Sequence, residues 1–222
     1  MNDSLVFPCG RIIPNRLVKA AMYEGMANFG GGPPTKQHLN LYSHWASGGW
    51  GMIITGNVQV SSSHLTLGRD VTLPRDSIEF DSFRSWAHSM SSTSSHPKPV
   101  IIMQLSHAGR QSPRIIGGRY PWLPPLAPSS NSMSPSESTF ARLVFSLLFQ
   151  RPRAMSTQDA DSVIAAFLEG AKVASQAGFD GIQLHASHGY LLSQFSSIKN
   201  NCRTDLYGPP NELRLLQQIA SS

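Results

Sequence analysis

The stretch from Gly178 to Phe195, GFDGIQLHASHGYLLSQF, decides the architecture. Gly181 to His185 alternates small or apolar residues with polar ones, the mark of a short strand with two different faces. A helix-like pattern precedes it and a turn at Gly189 follows. Parallel α/β proteins gather their chemistry where strands run out into loops, at the carboxyl ends. The imidazoles of His185 and His188 and the phenol of Tyr190 are therefore expected to project from such a strand end.

Working outward, three further strand-then-helix units come before this one. RLVKA (16–20) reads as a strand, and beyond GGGPP (30–34) Thr35 caps a helix with apolar positions Leu39, Tyr42, Trp45 and Ala46, ended by Gly48-Gly49. WGMIIT (50–55) is a continuous apolar run of the kind buried on both faces of a parallel sheet. A helix over about 78–90 follows, with Phe80, Phe83, Trp86, Ala87 and Met90 on one face. The Ser- and Pro-rich SSTSSHPKP then leads into a third buried strand, PVIIMQL. Ser156 with Asp159 three residues later makes a capping-box start, and Val163, Phe167, Gly170, Ala171, Ala174 and Ala177 supply the inner face of the next helix. The last element, NELRLLQQIA (211–220), carries Leu213, Leu216 and Ile219 on one face.

Four βα units predict an α/β fold with a parallel sheet, doubly wound or barrel. No GxGxxG follows a strand and no GxxxxGK[ST] occurs, so two common nucleotide-binding doubly wound types lose support. A complete (β/α)8 barrel takes about 250 residues. The 222 residues here supply about the first four units of a partial (β/α)8 TIM barrel, read as one domain over 1–222. Residues 124–155 interrupt the pattern with an irregular Pro/Ser-rich loop and an apolar run, FARLVFSLLF, expected to pack against something because such a patch is costly in water.

Composition narrows the classes. Hydrophobic residues make up 40% of the chain, as in a folded globular protein. The 18 basic and 13 acidic residues give a net charge of +5, but the cations are scattered singly and do not interleave with aromatics, which disfavours nucleic acid. Cys9 and Cys202 form no CxxC pattern, so no disulfide framework or zinc site is indicated. There is no signal-like N-terminus and no 18-residue apolar run, so a cytoplasmic protein without a membrane span is expected. HxxH spacing suits a metal on a helix, but no third ligand stands nearby in the sequence.

Several separated words, in order, resemble the Old Yellow Enzyme family of NADH:flavin oxidoreductases: NRLVKAAMYEGMA (15–27), GMIITGNVQV (51–60), MQLSHAGRQ (103–111), FQRPRAMS (149–156), and GFDGIQLHASHGYLLSQF with NCRTDLYG (201–208). The resemblance implies FMN as cofactor, cradled by Ala20, Ala21, Met22 and Tyr23 at the first strand end. Tyr23 stands where related sequences usually carry Thr or Cys. Asn57, in a position often held by Ala, would meet the flavin edge, although Asn equally suits a turn. Gln104 would bond the mixed donor and acceptor edge of the flavin pyrimidine.

His185 and His188 resemble the pair that grips the oxygen of an enone-like substrate, and Tyr190 its proton donor. NAD(P)H would be the reductant. Arg110, Arg203, Thr204 and Asp205 match family words and read as scaffold. The family's later strands, which supply an arginine beside the flavin and the phosphate-binding loops, find no match here, so the chain reads as truncated. That leaves two alternatives to a shortened oxidoreductase: a non-catalytic remnant or partner-binding half-barrel without FMN, and a non-redox isomerase using the same histidines. Uncovered edges would favour a homo-oligomer or pairing with a second half-barrel.

Overall fold

A computed structural model describes residues 3–92, 98–133, 138–211 and 213–221. The chain opens with an antiparallel ribbon, β1 (Leu5–Val6) and β2 (Ile12–Ile13), whose two-residue strands are too short to announce themselves by alternation. β3 (Val18–Lys19) is shorter than the expected 16–20 strand, because its pairing with the next strand stops at Lys19 opposite Ile53, just below an irregularity in that strand. Ala20 to Tyr23 therefore lie beyond the strand. α1 (Lys36–Ala46) starts at Thr35 with an unusual capping box in which His38 Nδ1, in place of a carboxylate, accepts the Thr35 N–H at 3.1 Å.

β4 (Met52–Gln59), β5 (Val71–Thr72) and α2 (Ser77–Ser91) follow, α2 capped by Asp76 accepting from the Glu79 N–H at 2.8 Å. Then come β6 (Val100–Ser106), β7 (Leu126–Ala127), α3 (Thr139–Leu148), β8 (Arg153–Ala154) and α4 (Thr157–Ala177). The Ser156/Asp159 box opens α4 as the sequence predicts, reinforced by Arg153 on the Asp159 carboxylate at 2.8 Å. β9 (Gly181–Leu184), α5 (Leu191–Phe195) and α6 (Arg214–Ser221) complete the order. Part of the Ser-rich connection before β6, residues 93–97, lies outside the described residues.

The main sheet runs β3-β4-β6-β9, parallel throughout, with β5 added to β4 beyond the end of β3. Strand order follows chain order without reversal. The helices cover one face only: Ile53, Val58, Ile101, Met103 and Leu105 share a core with Tyr42 of α1, Phe83 and Trp86 of α2, and Phe167 of α4. A doubly wound sheet reverses its strand order and carries helices on both faces, so this is four units of a (β/α)8 barrel. Trp86, fully buried, stands edge-on to Tyr42, Phe83 and Phe179 with centroids 5.1, 6.2 and 5.8 Å away. Truncating such a side chain costs about 3–5 kcal/mol. Gly170 lets α4 approach the sheet, since a Cβ there would lie 2.9 Å from Leu105 Cδ2.

Two expectations need correction. On α6 the buried residues are Leu215 and Ile219; Leu213 is exposed because it precedes the first helical turn. Residues 124–155 are not wholly irregular, since β7 and β8 pair in parallel there, and the FARLVFSLLF run forms α3. Among the described residues no other helix or strand packs extensively on α3, so Phe140, Leu143, Val144, Leu147 and Leu148 are exposed rather than covered as expected.

Candidate active site

The face of the sheet away from the helices is polar, and β4 shows how. Ile53 faces the helical core, and so do Val58 and Val60, although they stand at positions of opposite parity. The switch is a β-bulge: Ile54 pairs with Ile102 and Asn57 with Gln104, so Thr55 and Gly56 together oppose Met103. The Thr55 hydroxyl accepts the Gln104 N–H at 3.0 Å inside the bulge. Asn57 and Gln59 are thereby turned to the inner face. Parallel register then aligns Asn57, Gln104 and Gln183 in one rung across three strands, with His185 two residues beyond Gln183 on the same face.

The bulge is fixed from the outside. The Gly56 N–H donates to Tyr42 Oη at 2.8 Å and to Glu24 Oε1 at 3.1 Å, and the Tyr42 hydroxyl itself donates to Glu24. Burial pushes the Glu24 carboxyl up. A Cβ at Gly56 would run into the Met22 carbonyl and the Glu24 carboxylate. Below them Lys19 donates to the Ile54 carbonyl at 3.2 Å and lies 4.1 Å from the Trp45 ring centre, with burial lowering its ammonium to about 8. The turn Ala20-Ala21-Met22-Tyr23 is thus held at both ends, by Lys19 and by Glu24.

His185 continues the sheet ladder, its N–H donating to the Leu105 carbonyl at 2.9 Å, and its ring is buried. His188, at φ +54°, brings Nδ1 to 3.3 Å from His185 Nε2. Burial, and then the charge of His188, lowers the His185 pKa, which favours neutral imidazole. The Tyr190 ring meets His185 edge-on with centroids 4.9 Å apart, and its hydroxyl reaches the side chains of Asn57 and Thr66. Burial raises the Tyr190 phenol, and the Asp70 carboxylate adds to the shift. Asp70 is fully buried and takes hydrogen bonds from Gln59 Nε2 and from the N–H groups of Thr66, Leu67 and Gly68. Tyr23 belongs to the same cluster: burial first, then Asp70, pushes its phenol up to about 12, with Tyr190 contributing.

The structure therefore brings together His185, His188, Tyr190 and Asn57, with Tyr23 in their electrostatic field, and sets Gln104 in the rung alongside. Ala20, Ala21 and Met22 lie on the adjoining turn, Met22 largely exposed. Sequence reasoning missed Gln183, Thr66 and Asp70. A polar residue at alternate positions of a buried strand was the signal for Gln183; Asp70 belongs to no recognisable motif. The scaffold reading holds for Arg203, which pairs with Asp205 and donates to the Pro128 carbonyl at 3.1 Å. Arg110 bonds the Asn131 carbonyl and Asn200 Oδ1 rather than a carboxylate. The His107 ring lies against His64, tilted by 35° with ring centres 4.5 Å apart. Among the described residues no three His, Cys, Asp or Glu side chains converge as a metal site.

A flavin ring fits this donor set. Gln104 gives Nε2 to Gln183 Oε1 at 2.7 Å, but its own Oε1 is buried without a partner. Orphaned buried polar atoms are costly unless a ligand meets them. A planar group with donors and acceptors along one edge would do so.

Comparison with known proteins points the same way. The model of the NADH:flavin oxidoreductase / NADH oxidase family matches residues 11–216. The chain is 39% identical to the NADH-dependent flavin oxidoreductase iliE of Neonectria sp. (strain DH2), over 98% of its own length and 28% of that protein. It is 38% identical to iccE of Talaromyces variabilis, described in the same words, over 97% of this chain and 52% of the relative. It thus spans about half or less of the relatives it matches. The crystal structure of Old Yellow Enzyme from Pichia sp. AKU4542 superposes with a TM-score of 0.82 at 26% identity, covering 99% of this chain and 55% of that one. A polar rung on the inner face of four parallel strands, a histidine pair at the fourth strand end and this family match agree, and the chain belongs to the NADH:flavin oxidoreductase / NADH oxidase family.

Proposed function

We propose that this chain carries the flavin-ring side of an FMN site, and that it acts in an oxidoreductase that takes electrons from NAD(P)H and reduces an electron-poor alkene such as an enone. The observation that carries the reading is the buried Gln104 Oε1, left without a partner in the polar rung of β4, β6 and β9 beside His185, His188 and Tyr190. The relatives' names, NADH-dependent flavin oxidoreductase, support the electron source, as does a morphinone reductase structure in complex with tetrahydroNAD. When bound, FMN supplies hydride chemistry that no side chain here offers.

The residues of the chain do the rest. Gln104 and the Met22–Tyr23 turn bind and orient the ring edge. His185, kept neutral by burial, and His188 donate N–H groups to the substrate carbonyl oxygen and so stabilise the negative charge that grows there. Tyr190 holds its proton at neutral pH because burial and Asp70 disfavour the phenolate, which suits it to protonate the substrate α-carbon.

An absorbance spectrum tests this, taken after an FMN challenge and gel filtration of the purified chain. A retained band at about 450 nm that bleaches with NADH or NADPH is expected. Colourless protein would overturn the reading for this chain.

A further inference from the structure

α3 and the loop it abuts present one apolar surface that the chemistry above does not use. The Arg114 N–H donates to the Leu148 carbonyl at 2.8 Å, and Gln150 Nε2 donates to the Pro121 carbonyl at 2.8 Å, which join the 114–123 loop to the end of the helix. On the loop, Ile115 is 73% exposed, and Tyr120 stacks on Trp122, itself 70% exposed, at 4.9 Å and 7°. On the helix Phe140, Leu143 and Leu147 are 76%, 59% and 58% exposed. Soluble surfaces rarely keep so many large apolar side chains together without an occupant.

The charge around the patch says which occupant. Residues 110–153 contain six arginines and one acidic residue, Glu137. Arg153 is paired with Asp159, and Arg119 is bonded to Ser112 within the loop. Arg114 and Arg151 reach backbone carbonyls, and among the described residues no carboxylate pairs with either. Beside Phe145 of α3 lies a cavity of about 520 Å³ whose lining includes the cations Arg110 and Lys199, and no carboxylate. Exposed aromatics and leucines framed by guanidinium groups match a surface that is apolar inside and anionic at its rim. A ten-residue helix is about 15 Å long, half of a bilayer core, and no described helix is long and apolar enough to cross a membrane.

We infer that this patch seats the chain on an anionic phospholipid surface, with α3 and Trp122 in the headgroup boundary and the exposed Arg151 and Lys199 toward the lipid phosphates. Neither contribution suffices alone, since weak apolar insertion and a few cations hold a protein only in combination. The binding is independent of FMN.

Co-sedimentation of the full chain with vesicles tests it, using phosphatidylcholine alone or mixed with phosphatidylserine. We expect pelleting with the mixed vesicles, partition at least about tenfold weaker on the neutral ones, and release at high salt. The double variant Leu143→Glu/Leu147→Glu should abolish pelleting, and Lys199→Glu should weaken it by roughly fivefold. Trp122→Ser, on the loop rather than the helix, should also weaken it, which keeps the test valid if the helix variant alters folding by circular dichroism. Absent pelleting, equal pelleting with both vesicle types, or pelleting unchanged in the variants each overturns the proposal. So does a concentration-dependent dimer that Leu143→Glu/Leu147→Glu dissolves in a chain that ignores vesicles, because the occupant is then a second copy.

Discussion

Mild acid should unfold this protein through three histidines other than the His185/His188 pair. His38 Nδ1 accepts the Thr35 N–H at 3.1 Å, His64 Nε2 accepts the Leu126 N–H at 3.0 Å, and His107 Nδ1 accepts the Gly109 N–H at 3.0 Å. Each uses an imidazole lone pair that protonation removes, and all three are buried. Burial lowers their pKa values to about 4, about 2 and about 3 respectively, against an ordinary value of 6.5. The unfolded chain therefore binds more protons than the folded one below pH 6.5, so stability falls as the pH falls. The loss levels off only below each folded pKa. Between pH 7 and pH 5 each histidine costs about 2 kcal/mol, some 6 kcal/mol together, comparable with the whole stability of an ordinary domain at about 5–15 kcal/mol. Glu24, raised by burial, works in the opposite direction and offsets part of this.

Urea unfolding followed by tryptophan fluorescence reads the effect directly, because Trp86 stands edge-on to His38 with ring centres 5.8 Å apart. His38→Asn keeps an acceptor and removes a proton site, so it should recover about 2 kcal/mol at pH 5 relative to its own value at pH 7. Equal unfolding free energies at pH 5 and pH 7, or ring resonances of these histidines that titrate near 6.5, would refute the reasoning.

Tyr190→Phe should lower alkene reduction by about 10²–10⁴ while leaving reduction by NADH or NADPH in place, as stopped-flow half-reactions would separate. Equal loss in both halves would deny it the proton-donor role. Gly56→Ala should cost about 3 kcal/mol in urea unfolding, because the Met22 carbonyl and Glu24 have no room to retreat, and it should weaken FMN retention as well. Ser156→Ala removes the acceptor for the Asp159 N–H at 3.1 Å at the start of α4 and should cost about 1 kcal/mol by the same measurement. No loss there would mean that the Arg153 to Asp159 pair holds that helix start by itself.

Much of the barrel was legible because its signals are local. Ser156 and Asp159 stand three apart before an apolar helical stripe, and PVIIMQL is a nearly continuous apolar run, so α4 and β6 could be read directly. The histidine cluster was legible because His185, His188 and Tyr190 follow one strand within six residues. What escaped depends on distant partners. The Asp70 carboxylate collects donors from its own loop and from Gln59, and no spacing rule predicts that convergence. Nor does local sequence reveal that His38 replaces an acidic side chain in its capping box, since that substitution works only with a neutral ring packed against Trp86. α3 was expected to pack because its composition is that of a core helix; its surroundings put it on the surface instead.

The extra residue in β4 acts as a phase shifter for the strand. Up to Ile54 odd-numbered side chains turn to the helices, and from Asn57 onward even-numbered ones do. Were the strand regularly pleated through Gly56, every later side chain would sit half a period away: Val58 and Val60 would point inward, and the carboxamides of Asn57 and Gln59 would be driven into the hydrophobic layer against the helices. Deleting Gly56 would remove the bulge and leave those side chains on their present faces, because Thr55 alone would then oppose Met103. The bulge is thus what lets a chain with one residue too many keep the reactive interior of the barrel apart from its greasy exterior.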